Sequence, residues 1–110
     1  MAKARDRKFM MGKVTHTKPT IAVTDTELLA ENVDRQWVLI QNITAARISI
    51  SFDGAASAGT GIVLEPVNAG GQITEASVFE MSQGLGNLSL GAINAVSALG
   101  NVLPLVSEGE

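Results

Sequence analysis

The chain contains no cysteine and no tyrosine, so it cannot build a disulfide framework, a thiolate metal site or a thiol nucleophile. Aromatic residues make up 4% of its 110 positions, one tryptophan and three phenylalanines. A core must therefore be packed from aliphatic side chains. No apolar run approaches the ~20 residues that a bilayer core requires. The N-terminus passes through Phe9-Met10-Met11 to Gly12 and Lys13 without the sustained apolar stretch of a secretory signal. These absences lead to the expectation of a soluble protein made on the cytosolic side.

What is present is apolar, small and turn-rich. Hydrophobic residues account for 45% of the chain, charged residues for 17%, and there are 11 glycines. That composition belongs to a globular domain, and the length to a single one. Gln36-Trp37-Val38-Leu39-Ile40-Gln41-Asn42-Ile43 reads as a strand that is apolar on both faces in its middle, as in a sandwich interior. Arg47-Ile48-Ser49-Ile50-Ser51-Phe52 alternates without error and reads as a half-exposed strand. The two runs suggest a hairpin.

Thr20–Thr24, Gly61–Glu65, Gln72–Met81, Leu88–Ser97 and Asn101–Val106 supply further strands, separated by glycine-bearing turns. Pro104 argues that the last of them lies at a sheet edge. A helix over 85–106 is disfavoured by Gly86, Gly91, Gly100 and Pro104, at ~1 kcal/mol per glycine and ~3 for proline. The expected fold is all-β, a small antiparallel β-sandwich of about seven strands, jelly-roll or Ig-like. Trp37, Leu39, Ile48, Ile50, Phe52, Ile62, Leu64, Ile93 and Val102 are the expected core.

Charge is unevenly distributed. Residues 1–18 hold Lys3, Arg5, Arg7, Lys8, Lys13 and Lys18 against Asp6 alone, for a local net charge of +5. The rest holds Arg35 and Arg47 against ten acids, for −8. The asymmetry predicts an extended basic N-terminal arm over 1–19, ended by Lys18-Pro19, and a sandwich domain over 20–110. The partner-binding residues expected on the arm are its six cations together with the apolar Phe9, Met10 and Met11. Clustered cations could meet nucleic acid, but the acidic body would repel a polyanion and only Phe9 could stack a base. Docking on acidic protein surface, neighbouring copies included, accounts for both halves of the pattern.

Catalytic chemistry finds little to use. His16 stands among threonines and a lysine with no nearby carboxylate to orient it. The acids fall mostly at strand ends and turns, with no His, Cys or Tyr in the body beside them. Gly84, Gly86 and Gly91 match neither phosphate-loop spacing, and no segment has the alternating loop of a specific calcium site. The expectation is a non-enzyme with no cofactor and no metal.

One passage is more specific. Asn32-Val33-Asp34-Arg35 followed by Trp37-Val38-Leu39-Ile40-Gln41-Asn42 resembles the "N-x-x-R, then apolar-L-I-Q-N" passage of small β-sandwich proteins encoded by tailed bacteriophages. Ile48–Phe52, Gly61-Ile62-Val63-Leu64-Glu65-Pro66, Gly70-Gly71 and Gly91–Gly100 follow in the order of that pattern, which covers about residues 20–108. Where the family has a Pro-Gly-Gly turn, this chain has Pro66-Val67-Asn68-Ala69-Gly70-Gly71. The resemblance implies a virion protein that decorates or cements the capsid, bound to the major capsid protein and to neighbouring copies, as a homotrimer. It also implies a place on the capsid surface, after assembly in the host cytoplasm. The alternative it leaves is a carbohydrate- or receptor-binding module of a phage fibre. The small-residue loop Ala55–Thr60 would pack against a neighbour. No catalytic residues carry over.

Overall fold

The computed structural model describes residues 12–52 and 54–110. Eight strands carry the chain: β1 Val14–Thr17, β2 Thr26–Leu29, β3 Trp37–Gln41, β4 Ile48–Phe52, β5 Ile62–Leu64, β6 Val78–Ser82, β7 Ile93–Ser97 and β8 Leu105–Gly109. They form two four-stranded sheets, in the orders β1-β8-β3-β6 and β2-β7-β4-β5, and every pairing is antiparallel. The pairs are nested. β4 lies beside β5, and further out β3 beside β6, β2 beside β7 and β1 beside β8. The molecule is therefore the all-β sandwich that the alternation predicted, with eight strands instead of about seven.

Two strands lie outside the expected runs, β2 and, inside the segment read as arm, β1. The four residues of β1 are exposed and carry no apolar period, so no local pattern marks it. Its backbone pairs with β8 from Val14↔Gly109 to Thr17↔Val106. The sheet thus begins well before Pro19.

The core lies between the sheets. Ile21, Val38, Ile40, Ile48, Ile50, Met81, Ile93, Ala95 and Val106 are fully buried, and Leu28 and Leu64 nearly so. Burying each large aliphatic side chain stabilises the fold by roughly 1.5–3 kcal/mol relative to exposure. Ile48, Ile50, Leu64 and Ile93 sit where expected, while Phe52, Ile62 and Val102 are partly buried against the cluster. Trp37 and Leu39 do not belong to it. In β3 the inward residues are Val38 and Ile40, so the expected face was out of phase by one residue, and a slip of one reverses every side chain in a strand.

Three further expectations are corrected. β3 and β4 form no hairpin, because they lie in different sheets. The chain crosses between the sheets at Asn42, whose buried amide donates to the carbonyls of Ala46, Leu64 and Glu65 at 2.7, 3.2 and 3.1 Å. Thr20–Thr24 is no strand, and contributes one bridge, Ile21 to Val102. Pro104 is buried just before β8, and β8 is flanked on both sides, by β1 and β3. The proline ends a connection and marks no edge.

Candidate functional site

Of the residues expected to bind a partner, Lys3, Arg5, Arg7, Lys8, Phe9, Met10 and Met11 lie outside the described residues. Lys13 and Lys18 are described and exposed, but they flank β1 at its two ends and form no cluster. Gly12 is tied to Glu110, its N–H donating to the Glu110 carbonyl at 2.6 Å. The Glu110 N–H donates back to the Lys13 carbonyl at 2.8 Å. His16, read as an arm residue, stands on β1 with its Nδ1 2.7 Å from Ser107 Oγ.

The end of the sandwich where Gly12 meets Glu110 is organised by Arg35. This residue is buried. Its Nε donates to Glu108 at 2.6 Å, Nη1 to the carbonyls of Ser89 and Gly91 at 2.7 and 2.9 Å, and Nη2 to that of Ala30 at 2.7 Å. A planar guanidinium with five N–H donors is suited to gather so many acceptors. Beside it opens a groove of about 550 Å³, lined by Arg35, Val33, Asp34, Leu88, Leu90 and Glu110 among others. Val33 and Leu90 are exposed there. Asn32 closes the turn, donating through Nδ2 to Glu110 Oε2 at 2.8 Å and accepting from the Asp34 N–H at 3.0 Å.

The opposite end is held by Asn42 and carries a second ion pair, Arg47 Nε to Glu65 Oε2 at 2.7 Å. The hydrogen bond and charge of Glu65 hold the Arg47 guanidinium above its ordinary range. Chiefly through the hydrogen bond from Arg47, the Glu65 carboxyl is lowered. Both groups are open to water, so the pair does not organise its surroundings.

The two outer sheet faces differ. On the β2-β7-β4-β5 sheet the loop 54–61 folds back over the strands. The Ala56 N–H donates to Asp25 at 2.7 Å and the Gly59 N–H to Ser49 Oγ at 2.9 Å. A Cβ at Gly61 would collide with the Ile50 carbonyl oxygen, and φ there is +73°, so only glycine closes the loop this tightly. The loop expected to pack against a neighbour is thus bonded to its own sheet. On the β1-β8-β3-β6 sheet, Trp37, Leu39, Val78 and Leu105 are half-buried on the outside, and the Trp37 indole N–H donates to Glu80 at 2.6 Å. Sequence reasoning missed this face. The run carries no clean phase, since Gln41 shares that of Trp37 and Leu39 while Gln36 and Asn42 share that of Val38 and Ile40.

Among the described residues, no group of three or more His, Cys, Asp or Glu side chains is placed to hold a metal ion, and no buried side-chain polar atom lacks a hydrogen-bond partner. No helix is long and apolar enough to cross a membrane. No family model, curated protein or solved structure matches the chain.

Proposed function

We propose that this chain is a non-enzymatic structural protein of a virion, decorating or cementing the capsid of a tailed bacteriophage and attaching partly through its N-terminal segment. The observation that carries the reading is the nested pairing of eight strands, the jelly-roll order among the two sandwich topologies considered. Jelly rolls recur in viral capsid and lectin domains. That is an argument from fold, which restricts function without assigning it. The residue-level support is the excess of cations in residues 1–18 of the sequence, on a body whose other charges are mostly negative. Major capsid protein and neighbouring copies are the proposed partners, and the capsid surface the proposed location.

The carbohydrate- or receptor-binding reading gains one observation, the outward position of Trp37. It ranks second because the indole N–H, the polar handle of the ring, is already bonded to Glu80.

Co-sedimentation with undecorated capsids tests the proposal. Full-length protein is expected to bind, and a chain lacking residues 1–11 to bind much less, with an unchanged melt because β1 is retained. Removing residues 1–18 instead should also lower the melting temperature, since it strips the partner strand from β8. Equal capsid occupancy by full-length and 1–11-deleted protein would overturn attachment through the segment, and no occupancy by either would overturn the virion reading.

A further inference from the structure

We infer that the outer face of the β1-β8-β3-β6 sheet is a self-association surface that takes a second copy of this chain across a two-fold axis parallel to the strands. The inference stands independently of the virion reading. On this face Trp37, Leu39, Leu105 and Val78 are half-buried, while on the other sheet the loop 54–61 is bonded over the strands. The face carries Trp37 and Leu39 along β3, with Leu105 on β8 and Val78 on β6 flanking Gln41 in the next row. A face that mixes a tryptophan and aliphatic side chains with polar groups has the composition of a non-obligate protein interface.

The register says which protein fits. One row across the sheet reads His16, Ser107, Leu39, Glu80. Its two ends are complementary, and each end group is already oriented by a neighbour. The His16 ring is held through Nδ1 by Ser107, and the Glu80 carboxylate through Oε2 by Trp37. Nε2 of His16 and Oε1 of Glu80 have no partner among the described residues.

A two-fold axis along the strands reverses the order of strands and preserves position along them. It sets His16 of each copy opposite Glu80 of the other, forming two such contacts. The neighbouring row reads Val14, Gly109, Trp37, Ser82. The same operation places each Trp37 over the other copy's Gly109, the one position in that row without a side chain. The largest side chain thus meets the smallest, and complementary rim groups meet each other. An isologous contact of this kind is self-complementary by construction.

The face is small. Four strands ~4.8 Å apart, each rising ~3.3 Å per residue, give a footprint below that of stable interfaces, which bury about 1,200 Å² or more in total. Self-association is therefore weak and concentration-dependent. It also makes pairs, whereas the family resemblance implied a trimer.

Sedimentation velocity of the full-length chain over concentrations up to roughly 1 mM tests the inference, with thermal melts confirming that each variant folds. A monomer–dimer equilibrium is expected. Trp37→Ala, Glu80→Lys and His16→Glu should each weaken it by about tenfold or more, and the double variant Glu80→Lys/His16→Glu should recover most of the loss. Should a charge variant fail to fold, Leu39→Gln on the same face provides the same readout. Monomers throughout, a trimer, a dimer indifferent to Trp37→Ala, or a double variant no better than its parents would overturn it.

Discussion

The two arginine–glutamate pairs at opposite ends of the sandwich have nearly the same length, 2.6 Å for Arg35–Glu108 and 2.7 Å for Arg47–Glu65. Their surroundings have nothing in common. The side chains of the first are 0% and 17% exposed, those of the second 54% and 41%. Distance is therefore a poor guide to what an ion pair does. Arg47 and Glu65 exchange one hydrated state for another, and contacts of that kind contribute little. Arg35 has lost its water, and the loss is offset because Glu108 and three carbonyls take its place. Through those carbonyls it fixes the ends of the 30–36 and 83–92 connections, and with them the rim of the groove.

Breaking the buried pair should produce the larger effect. Arg35→Ala strands the Glu108 carboxylate and three carbonyls, and should cost about 3–5 kcal/mol in a denaturant melt. Replacing both partners, Arg35→Met with Glu108→Leu, should return a large part of that loss. A double variant as unstable as Arg35→Ala would show that the carbonyl contacts, not the charge pair, dominate. Asn42 is the neutral counterpart of Arg35 at the other end. Asn42→Ala leaves buried carbonyls without a donor and should cost roughly 1–3 kcal/mol, with no dependence on salt.

The exposed pair should give the smallest effect, and its pH dependence identifies it. Because Glu65 is lowered in the fold, any stability the pair provides is present above the unfolded carboxylate pKa. It is lost as the pH falls through the folded value. Wild type and Arg47→Ala should therefore melt nearly together at neutral pH and become indistinguishable in acid. A gap that widens in acid would contradict this assignment.

What the sequence made legible follows from how locally each feature is encoded. β4 alternates strictly, and its inner face, Ile48, Ile50 and Phe52, was readable from six residues. β3 is apolar at four consecutive positions, and the flanking Gln36 and Gln41 fall in opposite phases, so no local pattern marks its inner face and the wrong one was assigned. The pairing of β3 with β6 and β8 across the fold leaves no trace in either run, so proximity in sequence suggested a hairpin with β4. Arg35 looks like any turn arginine until Ser89, Gly91 and Ala30 are brought to it by three separate connections. β1 is the extreme case, since a strand joined to its sheet only by backbone hydrogen bonds needs no apolar pattern. The excess of cations in residues 1–18 was plain, yet only Lys13 and Lys18 can be placed.

The nesting of the strands has a consequence for synthesis on the ribosome. β1 is made among the first segments of this chain and β8 among the last, with His16 and Ser107 91 residues apart. Only the innermost pair, β4 with β5, joins strands that emerge close together. The outermost pairing must wait until nearly the whole chain is available, and closing so large a loop is an entropic cost met before any contact rewards it. A nascent chain halted anywhere before Leu105 therefore has β1 without its partner and the β1-β8-β3-β6 sheet incomplete. Synthesis of β8, not the appearance of the first strands, sets the moment at which the sandwich can close.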